Sequence, residues 1–339
     1  MDQRTPQALH DPRATAARDV YVSGVKALDV RVALAFALVY LIWGSTYLAI
    51  RVVVASIPPA ASAGVRFTIA GALMLAFARL TGRGIAVSRR DAMSLAIVGF
   101  FLLVCGNGLV VWSEQYVASG LAALMVATMP LWLAILSAAL PHGERLPPMG
   151  WVGVVLGFTG LATLLWPKVS SGLSSDLAGE AALLLAPLCW SVGSLYSKRR
   201  PVTVTPLIAT GWEMLFGGTV LSAIAAASGE FSRFSPTQHG WLALAYLVIF
   251  GSCVAFTAFV WLLQRVPAAK VATYAYVNPV IAVLLGWVLL DEPLTSSMLA
   301  GTAIIVGAVA LVITARMRTT QPVLAEQPVE SAVVQHRAV

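Results

Sequence analysis

The sequence predicts an all-α membrane protein, with ten transmembrane helices arranged as two inverted five-helix repeats. Three observations predict it. Hydrophobic residues make up 59% of the 339 and charged residues 11%, with a mean hydropathy of +0.84, a balance far from that of a water-soluble globule. Continuous apolar windows of about 20 residues, the length that crosses a hydrocarbon core of about 30 Å, occur ten times. Landmarks of the first half also recur 147 positions later: Trp43 and Trp190, Arg51 and Lys198, Pro59 and Pro206, Gly64 and Gly211, Gly71 and Gly218. The windows are continuously apolar, whereas a membrane strand would alternate over about ten residues, so helices are expected and not a barrel.

Taken in order, residues 1–31 carry Arg4, Arg13 and Arg18 among polar residues without an apolar core. They are expected to be a disordered cytoplasmic tail and not a cleavable signal peptide. The first repeat, 32–166, holds spans at 32–51, 60–79, 92–113, 117–140 and 149–166. The second, 177–315, holds spans at 177–197, 206–227, 240–263, 268–290 and 297–315. Residues 316–339, with Arg316, Arg318, Gln321 and Pro322, form a second disordered cytoplasmic tail.

Orientation follows from the basic residues. With the N-terminus in the cytoplasm, fourteen face inside: Lys26, Arg31, Arg79, Arg83, Arg89, Arg90, Arg145, Lys198, Arg199, Arg200, Arg265, Lys270, Arg316 and Arg318. Only Arg51, Lys168 and Arg233 face outside, so both termini are expected to be cytoplasmic. The formal charge of +7 is then a topology signal. No basic stretch is interleaved with exposed aromatics, which leaves a nucleic-acid role without support.

Five spans is an odd number, so the second copy begins on the opposite side of the membrane from the first, and the repeats are inverted. Many secondary transporters share this architecture and place their site near the midplane between the repeats. The correspondence continues late in each half, where Val117 to Pro130 matches Val266 to Pro279 at an offset of 149, and Glu144, Leu146 and Gly153 match Glu292, Leu294 and Gly301 at 148. At Arg66 the offset of 147 lands on Glu213, which keeps a charge and reverses its sign.

WGSTYLAI followed by Pro58-Pro59, then GVRFTIAGALM, GNGLVVWSEQYVASGLAAL and the paired loops HGERL and LDEPL resemble the EamA-domain carriers of the drug/metabolite transporter superfamily. The likeness spans nearly all of 32–315. It implies ten helices in two EamA domains, an inner-membrane location and export of small metabolites or drugs. Within that superfamily the substrates range over amino acids, sugars, nucleotide derivatives and toxic cations, so no single substrate is implied.

Candidate cavity residues come from polar or aromatic side chains deep in the spans. Trp43 lies far from both interfacial belts and is repeated as Trp190; Ser45, Thr46 and Ser194 bring hydroxyls to depth, where helix packing is the competing role. Asn107 sits between two glycines, where either a helix-to-helix hydrogen bond or a ligand is served. Met125 and Met129 lie one turn apart and are related by the repeat to Tyr274 and Asn278. Pro130 and Pro279 interrupt their helices and are expected hinges. Arg66 and Glu213 are the buried charges, serving either as anchors or in coupling, and Glu213 is the only carboxylate placed well inside a span. Glu114, beside Trp112 and Tyr116, is expected at the interface, with an outer gate as the alternative.

Cys105, Cys189 and Cys253 lie inside spans and read as small apolar side chains. His10, His142, His239 and His336 lie in tails or loops, and no Walker loop, GxSxG or HExxH occurs, so no cofactor or metal is expected. Gly153, Gly157 and Gly160 mark close helix packing. The expected partners are a small-molecule substrate and the bilayer, for a monomer with a dimer left open. A membrane-embedded enzyme and a non-transporting scaffold are the alternatives, the former lacking an acid/base set at depth.

Overall fold

The computed structural model describes residues 12–141, 145–170 and 177–320, and these form helices and turns only. The helices are α1 (Pro12–Val54), α2 (Pro59–Leu80), α3 (Arg89–Ser113), α4 (Ser119–Ala139), α5 (Pro148–Ser170), α6 (Leu177–Arg199), α7 (Pro206–Ala227), α8 (Gln238–Leu263), α9 (Tyr274–Leu290) and α10 (Ser296–Thr320). Nine of them are long and apolar enough to cross a bilayer. The 17 residues of α9 fall short of that length, because the chain turns at Ala272 and Thr273 and splits the expected 268–290 span into Ala268–Val271 and α9. The expected tail over 1–31 is helical from Pro12 onward, and α10 runs through Thr320 into the expected tail over 316–339; the rest of both tails lies outside the described residues.

Helix starts follow local chemistry. Pro59 and Pro206, equivalent in the repeat, each open a helix at the position where a fixed φ helps and the missing N–H costs nothing. Ser88 Oγ accepts from Asp91 N at 3.0 Å to cap α3, and Thr237 Oγ1 accepts from Gly240 N at 3.1 Å to cap α8.

Inside α3 and α8 the helix widens to i→i+5 bonding over Phe100–Asn107 and Leu247–Val254. Gly108 N reaches Leu103 O in one, and Ala255 N reaches Phe250 O in the other, so both ends of the bond lie 147 residues apart between the halves. Such widened turns loosen the main-chain ladder and often mark functional segments.

Helices α2 and α7 pack directly through the glycines that mark the repeat. A Cβ at Gly64 would lie 2.6 Å from Ser222 Oγ, one at Gly71 2.7 Å from Gly211 O, and one at Gly218 would collide with the Thr68 main chain. Helices α5 and α10 pair in the same manner: a Cβ on Gly153 would meet Val312 at 2.7 Å, and one on Gly160 would meet Ile304 at 2.9 Å. Gly157 faces Leu131 of α4 instead, so all three glycines serve packing within the chain. Without a hydrophobic driving force between helices in lipid, such close approach is what holds them.

Candidate functional site

A cavity of about 280 Å³ lies among eight helices, α1 to α4 and α6 to α9; α5 and α10 contribute nothing to its wall. It is lined by Trp43, Thr46, Arg66, Asn107, Met129, Pro130, Trp190, Ser194, Glu213, Tyr274, Asn278 and Pro279, which brings together twelve of the fourteen residues picked from sequence. The other two lie elsewhere, each for a structural reason.

Ser45 Oγ donates back to Leu41 O at 2.8 Å and shares a 2.6 Å hydrogen bond with the Tyr246 hydroxyl, so it joins α1 to α8 behind the wall. Met125 is wholly buried in the core. The one-turn relation to Met129 fails because α4 turns at Ala127 and Thr128, before Pro130 in the first turn of its second segment, so the two methionines no longer share a face. Thr128 Oγ1 bonds Met125 O at 2.6 Å across that break.

The aromatic side of the wall is built on Trp43. Its ring centroid lies 5.1 Å from Phe259, 5.1 Å from Tyr274 and 5.7 Å from Phe256, within the range of favourable aromatic contact. Its indole N–H donates to Gly251 O at 3.1 Å, a carbonyl in the widened segment of α8. Trp190 makes the corresponding crossing: a Cβ at Gly106, in the widened segment of α3, would lie 2.6 Å from Trp190 Nε1. Each tryptophan therefore seats against the widened turn of the other half.

Asn107 Nδ2 donates to Leu102 O at 3.3 Å, within its own helix, and not across to a neighbour. Asn278, with its amide nitrogen as donor, reaches Tyr274 O and Tyr40 O, each at 3.3 Å. Thr46 Oγ1 donates back to Trp43 O at 2.7 Å.

The two charges face the same cavity without pairing. Arg66 is 6% exposed, donates from Nε to Ser252 Oγ at 3.0 Å and stacks its guanidinium 4.7 Å over the Phe67 ring; its Nη1 has no hydrogen-bond partner. Glu213 is half-buried, on a part of α7 where its main-chain carbonyl lies against Gly99 of α3.

Sequence reasoning missed, among other wall residues, Thr210, Phe256 and Phe259. It put Glu114 at the end of the third span, where the structure has it, but did not expect its burial. The expected interfacial carboxylate is 0% exposed, and both its oxygens are without a partner. The i, i+3 spacing of Phe256 and Phe259 was the available signal, but in a helix apolar all round it stands out from nothing.

Comparison with known proteins bears on this arrangement. The family model described as EamA-like transporter family matches residues 30–166 and again 177–314. The inner membrane transporter YedA of Escherichia coli K12, named as uncharacterised, is 40% identical over 274 residues, covering 80% of this chain and 87% of its own. The transporter YoaV of Bacillus subtilis, likewise named as uncharacterised, is 24% identical over 276 residues, covering 81% and 94%. A solved crystal structure superposes with a TM-score of 0.59 at 24% identity, over 84% of this chain and 98% of that one, which speaks to the fold alone.

Proposed function

The chain belongs to the EamA-like transporter family, and from that premise we propose that it is a secondary transporter of the inner membrane that exports small aromatic or amphipathic molecules by alternating access. The cavity carries this reading. It is walled equally by four helices from each half, with an aromatic face around Trp43 and a guanidinium and a carboxylate left unpaired with each other. Such a wall suits a ring-bearing solute with polar groups, and a site between two halves is where rocking of one against the other exposes it to either side.

In this reading Ala268–Val271 and α9 together make the ninth of ten crossings, and residues 32–166 and 177–315 are two inverted repeats. The widened turns 147 residues apart, the matched glycines of α2 and α7, and the reciprocal seating of Trp43 and Trp190 support that relation. Both termini then lie in the cytoplasm. Pro130 and Pro279 act as hinges, and Glu213 meets the substrate or a proton that exchanges with it.

Proteoliposomes loaded with a panel of aromatic and amphipathic solutes, with and without a pH gradient, test the function. Protein-dependent efflux of at least one class is expected; no flux of any member overturns the reading. Topology is tested in a background free of the three native cysteines. Ser228→Cys should react with an impermeant thiol reagent from outside and Thr203→Cys should not, and equal labelling of both from one side refutes the inversion.

A further inference from the structure

Glu114 lies in the turn between α3 and α4, beyond the cavity wall, and nothing in the transport reading uses it. It is 0% exposed, with both carboxyl oxygens lacking any hydrogen-bond partner. The surrounding groups are committed elsewhere. Arg51 of α1 gives Nη1 to the main-chain carbonyl of Glu114 and not to its carboxyl group. Arg66 of α2 gives Nε to Ser252. Glu292, after α9, accepts Ser119 N at 2.7 Å and Gly120 N at 3.0 Å, closing the start of α4 and adding a second negative charge nearby. Ser113 Oγ bonds Val110 O at 2.7 Å, and Ser119 Oγ is buried without a partner. Tyr47 of α1, itself part of the cavity wall, lies near enough to Glu114 to feel its charge, and Glu180, on the turn of α6 packed against 113–117, has a partner of its own.

An ionised carboxylate sealed from water costs several kcal/mol unless donors meet it, and here no donor meets it. We propose that Glu114 is a proton-binding site beyond the cavity wall, separate from Glu213, and that it holds its proton in this conformation. Burial pushes the Glu114 carboxyl well above the ordinary carboxylate range and Glu292 pushes the same way, while Arg51 and Arg66 oppose. Arg66 Nη1 and Ser119 Oγ, both buried and unpartnered, are the candidate donors to receive the carboxylate once the proton leaves. That exchange would link occupancy of the cavity wall to protonation beyond it; its place in a transport cycle rests on the carrier reading, whereas proton binding does not.

The test uses the full-length protein in detergent and needs no flux. Infrared difference spectra across a pH titration should show the carbonyl stretch of a non-hydrogen-bonded carboxylic acid at neutral pH, lost in Glu114→Gln and retained in Glu213→Gln. A folded-state pKa raised above the unfolded value gives stability that is present at acid pH and lost as pH rises through the folded value. The thermal midpoint of the wild type should therefore fall relative to that of Glu114→Gln as pH rises. A band unchanged in Glu114→Gln, or wild-type and variant midpoints that run parallel with pH, overturns the proposal. If Glu114→Gln does not fold, Glu114→Met serves the same comparison. Stabilisation by sodium chloride over choline chloride that disappears in the variant would make this a sodium site and also overturn it. Absence of solute flux in the wild type with the infrared band intact would sink the carrier reading and leave the proton site standing.

Discussion

Arg66 and Glu213 occupy the same position in the two halves, and the chain treats them differently. Arg66 is enclosed, tied by Nε to Ser252 and lying over Phe67, whereas Glu213 is half-buried and open to the cavity. The backbones around them match closely, since α2 and α7 meet through glycines at equivalent positions. Repetition thus governs main-chain contact, where a misplaced Cβ has no room, and leaves the side chains at the cavity free to diverge. Arg66 is thus held by a hydrogen bond and a ring contact, while Glu213 faces the cavity.

The largest expected effect tests the shared framework. Gly71→Leu and Gly218→Leu should each abolish monodisperse protein in size-exclusion chromatography, because overpacking of about 1–3 kcal/mol is exceeded where a Cβ meets main chain. A Gly218 variant that folds normally beside a Gly71 variant that does not would break the equivalence of the halves.

Next come the tryptophans. Trp43→Ala loses three ring contacts and the bond to Gly251, and its affinity for an aromatic solute should fall about tenfold or more, as expected for roughly 1.5 kcal/mol of aromatic contact. Trp190→Ala should change affinity or solute preference less. If both variants transport normally while folded, the tryptophans are packing residues and the aromatic wall does not select substrate.

The charges themselves sharpen the comparison further. Arg66→Lys lacks both the Nε donor to Ser252 and the planar group over Phe67, and should cost about 1.5–3 kcal/mol in thermal unfolding, the range of hydrogen bonds to charged groups. Glu213→Gln keeps the side chain's size and should cost less in stability than Arg66→Lys. Its effect should appear in transport, with proton-driven accumulation lost and exchange between substrate pools retained. Unchanged pH dependence of transport in this variant would make Glu213 an anchor like Arg66.

Much of the fold was legible in sequence for reasons that are local. A run of about 20 apolar residues declares its solvent without reference to any neighbour. Proline at a helix start is likewise identifiable residue by residue, and the 147-residue offset picks out the glycines that line the α2 and α7 contact, although not the contact itself. The ninth span was less legible, because the turn at Ala272 and Thr273 carries no glycine or proline to announce it.

By itself the sequence determined that the chain is a multi-pass helical membrane protein, that it repeats itself, and that its polar and aromatic landmarks gather near one another. Tertiary structure alone decided which way each helix faces. In water an amphipathic stripe reveals the buried side, but these helices are apolar on every side, and close packing sets their rotation instead. That is why Met129 faces the cavity while Met125 does not, why Ser45 joins two helices, and why Phe256 and Phe259 complete the wall. It is also why Glu114, at a position that reads as an interface, is sealed from water: the turns around it, and not its neighbours in sequence, exclude solvent.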